Sequence, residues 1–146
     1  MESQIRLRNF KITDYESVIQ LWNVAGLPYK QKGRDRKEKI AKELEKNNSI
    51  FIVALKSTTI IGVVFGTHDG RKGWINRLAV HPNFRTRGIA KALVSEVEKR
   101  LLKIGIEIMT CLIEKDNLDS QAVFTNLGFK EWKDIIYFSK RMNPDV

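Results

Sequence analysis

Residues 77–101 read RLAVHPNFRTRGIAKALVSEVEKRL. Leu78, Ala79 and Val80 close an apolar run that begins at Trp74, so the stretch opens as the end of a β-strand. Beyond Gly88, Ile89, Leu93, Val97 and Leu101 recur every four residues, and Lys91, Glu96, Lys99, Arg100 and Lys103 take the opposite face. That spacing predicts an amphipathic helix, and Gly105 ends it. IEIMTCLI (106–113) then supplies another β-rich run. Strand, helix and strand make a crossover unit, so these two strands are expected to run parallel in an α/β fold.

The loop inside this unit carries the chemistry. Arg85, Arg87 and Gly88 stand at the mouth of the predicted helix. The first amides of a helix lack partners and lie at the positive end of its dipole, and a glycine lets a ligand approach the backbone without a Cβ in the way. An open α/β sheet binds ligands beyond the C-terminal ends of its parallel strands, which is where this loop falls. A pyrophosphate suits the site, with the two guanidiniums adding charge-assisted contacts. A plain helix end with solvated arginines is the competing interpretation. The spacing matches neither GxxxxGK[ST] nor GxGxxG, which removes the P-loop and the dinucleotide-binding turn.

Working outward, QIRLRNF (4–10) reads as a first strand, and TDYE (13–16) as a capping box in which Thr13 and Glu16 satisfy free amide donors. A helix bearing Val18, Ile19, Leu21 and Trp22 follows to about Ala25, and GRDRKEKIAKELEKNN (33–48) reads as a second helix with a thin apolar face. IFIVAL (50–55), IIGVVFG (60–66) and WINRLAV (74–80), joined by the turns KSTT and DGRKG, form an antiparallel meander. After strand five come a short helix (118–126) and a final pair of strands, about 129–133 and 135–141. The expectation is a mixed, mainly antiparallel twisted sheet of about seven strands, with parallel, splayed strands four and five, and about four helices in one domain spanning 1–146.

Composition narrows the function. The 146 residues hold 26 basic and 17 acidic side chains, a net charge of +9. Such a balance favours an acidic partner or a phosphate-rich small molecule. No apolar run is long enough for a transmembrane helix, and MESQIRLRNF lacks the apolar core of a signal peptide, so a cytoplasmic location is expected. One cysteine, Cys111, and two scattered histidines give neither an internal disulfide nor a metal-ligand spacing, so no metal is expected.

RTRGIA (85–90) resembles the Arg/Gln-x-x-Gly-x-Gly/Ala signature of the GNAT superfamily of N-acetyltransferases. The stretch on either side of it, and NLDSQAVFTNLGF (117–129), are similar to further segments of that family, and the element order agrees over the whole chain. The resemblance implies an acetyl-CoA-dependent transfer to a primary amine within a ternary complex. It implies that Arg85, Thr86, Arg87, Gly88, Ile89, Ala90 and Lys91 cradle the pyrophosphate. It further implies that Leu78, Ala79 and Val80 carry the bulged end of strand four, whose free backbone groups pair with the pantetheine arm and polarise the thioester. Asn117 matches an asparagine that contacts the pantetheine; a simple N-cap is the other interpretation, compatible with the first.

Two catalytic positions depart from the family. Phe124, counted with the acetyl-CoA-contacting residues that the resemblance implies, stands where many members have a tyrosine acid, and Trp74 where several have a glutamate base. His68 and Tyr137 are the remaining candidates for proton transfer, while Cys111 reads as a small core residue. Asn76 and Arg77 are candidates for the acceptor side. The missing acid and base leave open a non-catalytic acetyl-CoA-binding or sensing domain. The run KQKGRDRKEK (30–39) leaves open a nucleic-acid-binding module, or an acidic protein or ribosomal acceptor. No membrane partner is expected, and a homodimer is compatible with the chain.

Overall fold

The computed structural model describes residues 4–146. At its centre, β2 (Ser49–Lys56) and β3 (Thr59–His68) are buried on both faces and pair antiparallel. Alternation divides their side chains between two layers. Phe51, Val53, Leu55, Val63 and Phe65 face one core, and Ile50, Ile52, Ala54 and Val64 the other. β1 (Ile5–Asn9) adds antiparallel to β2, and β4 (Gly73–Val80) antiparallel to β3. β5 (Met109–Cys111) adds parallel to β4, and the order across the sheet is β1-β2-β3-β4-β5.

The first core is closed by α1 (Tyr15–Ala25) and α2 (Lys37–Leu44), which insert Val18, Ile19, Trp22 and Ile40. Phe10, Phe51, Phe65 and Trp22 interlock there, with Phe51 and Phe65 stacked at 4.0 Å. The second core is closed by α3 (Ile89–Lys103), whose Ile89, Leu93, Val97 and Leu101 are all buried as their spacing requires. Gly62 lets α3 lie close: a Cβ there would stand 3.0 Å from Ile89 and 3.2 Å from Leu93. Phe124 of α4 (Leu118–Asn126) completes this core.

Three expectations are corrected. The sheet has five strands among the described residues rather than seven: residues 129–146 form no strand, and β5 is confined to three residues instead of spanning 106–113. The C-terminal run has strand-forming side chains, but its backbone joins no ladder, and Ile136 and Phe138 remain exposed. The capping box at TDYE is also replaced. A single 3-10 turn, Ile12–Asp14, precedes α1, and Asp14 rather than Thr13 turns its carboxylate back to the Lys11 amide at 2.9 Å. Glu16 instead reaches Lys37 at 2.8 Å. Arg8 grips Asp14 with two contacts of 2.7 and 3.0 Å and holds its carboxyl below the ordinary value. The stability from that shift is therefore present above the unfolded pKa and is lost as pH falls through the lower folded one. Finally, α2 begins at Lys37, because residues 31–35 are spent in turns.

Candidate active site

β5 pairs with β4 only at Gly73↔Met109, Trp74↔Thr110 and Ile75↔Cys111. Beyond Ile75 the outer edge of β4 has no strand beside it among the described residues. A β-bulge marks the transition: Phe65 pairs with Arg77 and Gly66 with Ile75, so Asn76 is the inserted residue. The bulge thus falls before Leu78, Ala79 and Val80, which keep regular pairing with Val64, Val63 and Gly62. Its effect is to bend β4 where pairing ends, leaving the 76–80 edge free to pair with an extended ligand.

The chain leaves β4 directly into the loop 81–88. His81 fixes its start: the backbone amide donates to Ile61 O at 2.8 Å, and Nδ1 accepts from Asn83 N at 3.1 Å. A 3-10 turn over Pro82–Phe84 follows, then Thr86 and Gly88, both left-handed at φ +65° and +77°. Gly88 caps α3 without a side-chain hydrogen bond, and Ala92 is the first amide bonded back to it. Ile89, Ala90 and Lys91 therefore present amides without intrahelical acceptors. A Cβ on Gly88 would meet nothing within 4 Å, so its face is open. The glycine is needed for the left-handed turn, not for want of space.

Phe84 organises the cations around this opening. The Arg87 guanidinium and the Lys56 ammonium each stand 5.3 Å from its ring centroid, and His81 packs edge-on at 5.7 Å. Arg85 reaches Ala25 O at the end of α1, 3.5 Å away. The loop therefore sets Arg87 and Lys56 around Phe84 beside the unpaired amides of α3, with Arg85 turned back to the end of α1, an arrangement whose charge and hydrogen-bond donors suit an anion. Lys56 and Phe84 escaped the sequence reading. Lys56 comes from β2, and only the sheet register brings it to this end.

The neighbouring α1–α2 connection is tied down by an ion pair. Arg77 Nη2 meets Asp35 Oδ2 at 2.6 Å, with both side chains largely buried. Its Nη1 donates to Pro28 O, and its guanidinium lies 5.2 Å from the Trp22 ring. Asp35 accepts from the Lys30 amide at 2.6 Å, and its carbonyl accepts from Tyr15 OH at 2.7 Å. Arg77, read as a candidate for the acceptor side, is thus a clamp between β4 and the loop. Asn76 bonds Thr67 Oγ1 at 2.8 Å instead.

The other candidates are dispersed. His68 pairs with Gly73 at the start of β4, the opposite end from the loop, and its Nδ1 accepts from Gly70 N at 3.1 Å. Tyr137 is exposed in the C-terminal segment. Trp74 is half-buried in β4, while Phe124 is buried edge-on against Phe129 at 5.0 Å. Asn117 caps α4, accepting from Ser120 N at 3.1 Å. Burial pushes the Cys111 thiol up to about 11, which leaves it protonated and poorly nucleophilic at neutral pH. No group of three His, Cys, Asp or Glu among the described residues could hold a metal ion. No described helix is long and apolar enough to cross a membrane.

A model of the acetyltransferase (GNAT) family matches residues 15–129, which include β4, the loop and α3. The chain belongs to that family. An acetyltransferase of Yersinia enterocolitica is 34% identical over 97% of this chain and 98% of its own length. Among solved structures, the PaiA N-acetyltransferase of Thermoplasma acidophilum in complex with coenzyme A superposes with a TM-score of 0.76 at 24% identity, covering 87% of this chain and 90% of that one. AAC(6')-Iy, in complex with a bisubstrate analogue, gives 0.78 at 23% identity over 95% and 99% of the two chains. The GNAT fold of this chain is therefore established, including its parallel β4–β5 pair and the four α-helices among the described residues.

Proposed function

We propose that this GNAT acetyltransferase moves the acetyl group of acetyl-CoA to a primary amine of low pKa: a peptide or protein N-terminus, or a small amine. The observation that carries the reading is the open mouth of α3, with Lys56, Arg85 and Arg87 around it, placed beside the free edge of β4. Residues 85–91 and Lys56 would hold the pyrophosphate. The edge from Asn76 to Val80 would align the pantetheine arm, with Asn117 as a further contact. Acetyl-CoA supplies an acyl group already activated as a thioester. The β4 amides along the free 76–80 edge would oppose the charge that builds on the carbonyl oxygen, a contribution worth ~3 kcal/mol in other enzymes. The α1–α2 connection, fixed by Arg77 and Asp35, would form the acceptor side and hold the amine against the carbonyl.

Positioning alone supplies much of such an acceleration, and general acid–base help typically adds about 10²- to 10⁴-fold. Trp74 and Phe124 carry no titratable group, and a thiol of pKa about 8.5 can leave as the thiolate. Deprotonation of the acceptor is then the acceptor's own affair. A lysine side chain of pKa about 10.4 is neutral to less than ~0.1% at pH 7, whereas an α-amine near 7.7–8.0 is neutral to roughly 10%. The gap of about 2.5 units amounts to ~3.4 kcal/mol.

The experiment is a panel of amines, peptide N-termini and polyamines, scored by coenzyme A release between pH 6 and 9. The rate should follow each acceptor's titration, with α-amines ahead of lysine side chains. A free lysine side chain as best acceptor, with a profile breaking near pH 7, would reveal a hidden base. Binding of acetyl-CoA without release of coenzyme A to any amine would make the domain a sensor.

A further inference from the structure

The cations at the mouth of α3 are held differently from others in the chain. Four basic side chains are fixed by carboxylates: Arg8 by Asp14, Lys37 by Glu16, Arg77 by Asp35 and Arg100 by Glu96. Lys56 and Arg87 pair with no carboxylate among the described residues. Both lie instead over one aromatic ring, each 5.3 Å from the Phe84 centroid. The ring itself is anchored. Phe84 packs, partly buried, against the α3-side core, and His81 meets it edge-on at 5.7 Å. Lys56 arrives from the last position of β2, where it pairs with Thr59 across a tight turn whose Ser57 is left-handed at φ +55°. Arg87 arrives from the loop, one residue before Gly88.

The manner of holding matters for the chemistry. A carboxylate neutralises the cation that it fixes, and an incoming phosphate must then compete with that ion pair. The face of an aromatic ring attracts a cation through its quadrupole, adds no net charge, and leaves N–H donors free for an anion. A lysine or arginine left loose would lose rotamer freedom when a ligand ordered it, whereas one already placed loses less. The ring thus supplies order without neutralisation. Two like charges brought to one ring also repel each other, which favours the site when it holds an anion over the site when it is empty.

We propose that Phe84 is a positioning residue of the donor site, whose ring holds Lys56 and Arg87 in place and unneutralised for the phosphates of acetyl-CoA. The inference rests on the reading of the α3 mouth as the acetyl-CoA site. It gives an apolar side chain a part in anion binding, exerted through two cations rather than on the phosphate itself. Through Lys56 it also makes the β2–β3 turn a part of donor recognition.

Calorimetry with acetyl-CoA on the full chain tests this through Phe84→Leu, which keeps an apolar body against the α3-side core and removes the aromatic face. Affinity for acetyl-CoA should fall roughly 5- to 10-fold. The donor Michaelis constant should rise with it, while that of the acceptor stays. Phe84→Tyr restores a ring and should bind as the wild type does. Lys56→Met should weaken binding about 5-fold in the wild type and less than about 2-fold in the Phe84→Leu background, because ring and cation act as one unit. Should the leucine variant fail to fold, the free wild type still answers by nuclear magnetic resonance. The Lys56 ε-methylene protons lie in the ring current of Phe84 and should resonate upfield of those of other lysines. A Lys56 signal among the ordinary ones overturns the inference. So do additive losses in the two variants, a loss that Phe84→Tyr does not recover, or unchanged affinity in Phe84→Leu while the wild type binds. A wild type that binds no acetyl-CoA would overturn the assignment of the site, and the inference with it.

Discussion

The two loops at the C-terminal end of β4 solve opposite problems. The proposed donor-side loop, 81–88, ends in a helix without a side-chain cap, with unpaired amides, left-handed residues at Thr86 and Gly88, and cations spread over Phe84. The α1–α2 connection, 26–36, proposed above as the acceptor side, is tied down instead, with Asp35 taking both Arg77 of β4 and the Lys30 amide. An anion site gains by leaving donors unsatisfied until the ligand arrives, whereas a surface that orients a second substrate gains by being held before it arrives. Changes in one loop should therefore act on donor affinity, and changes in the other on stability and acceptor geometry.

The largest break in this contrast is predicted for Arg77→Ala. Removing one partner of a buried pair strands the other charge, at about 3–5 kcal/mol. The variant should lose stability on that scale in urea and raise the acceptor Michaelis constant by up to ~10²-fold, as misplacement does. Acetyl-CoA affinity, measured calorimetrically, should hold. Arg77→Lys should restore part of the stability but less of the acceptor kinetics, since an ammonium cannot bond Pro28 O and Asp35 in the same fork. Loss of acetyl-CoA affinity in either variant would merge the two loops into one unit.

Gly88→Glu should come next and act in the reverse sense. It imposes a left-handed side chain and places a carboxylate at the helix mouth. Acetyl-CoA near 100 times its dissociation constant should stabilise the wild type by about 2.7 kcal/mol, or roughly 5–10 °C in melting temperature. The variant should show no such rise. Gly88→Ala separates the causes, because its Cβ enters open space: it should cost about 1–2 kcal/mol of stability and retain binding. Unchanged affinity in the glutamate variant would remove the anion from this loop.

A smaller effect is expected from the cations of the acceptor side. Lys30, Lys32, Arg34, Arg36, Lys37 and Lys39 stand against Asp35 and Glu38, but Asp35 is consumed by Arg77 and Lys37 is paired with Glu16. Lys30 and Lys32 line the neighbouring cavity. Reversing both should raise the Michaelis constant of an acidic acceptor by ~5-fold at low salt, and high salt should erase the difference. An acceptor rate indifferent to both charge and salt would reduce the run to a solvated face.

The contrast also explains what could be read from the sequence. The donor loop was legible because its parts are contiguous: one strand end, two arginines, one glycine and a four-residue apolar repeat. Every member of that repeat is buried. Its missed members, Lys56 and Phe84, depend on sheet register and ring stacking. The acceptor clamp was illegible because Asp35 and Arg77 are 42 residues apart and Asp35 lies within a charge run that resembles a solvated face. Residues 135–141 misled in another way. Their β-branched and aromatic side chains report compatibility with a strand, but a ladder also needs a neighbouring edge. At TDYE the cap was mistaken by one turn, since Asp14 lies three residues beyond Lys11 and competes for the same role.

The finest test falls outside both loops, at Phe124. This ring is buried against Phe129, Ile89 belongs to the same core, and the ring itself carries no hydroxyl to protonate a leaving thiolate. Phe124→Tyr adds a single oxygen. If the hydroxyl is desolvated without a partner, the cost should be about 1–3 kcal/mol of stability. Acetyl-CoA affinity should stay nearly unchanged, because the proposed anion contacts lie in the 81–91 stretch. Turnover should also change little, since a thiol of pKa about 8.5 leaves readily without a donor. A marked rise in turnover would instead make thiolate protonation the slow step. A large fall in acetyl-CoA affinity would show that α4 contributes to donor binding through this ring, and the division between an open donor loop and a tied acceptor loop would then need a third member.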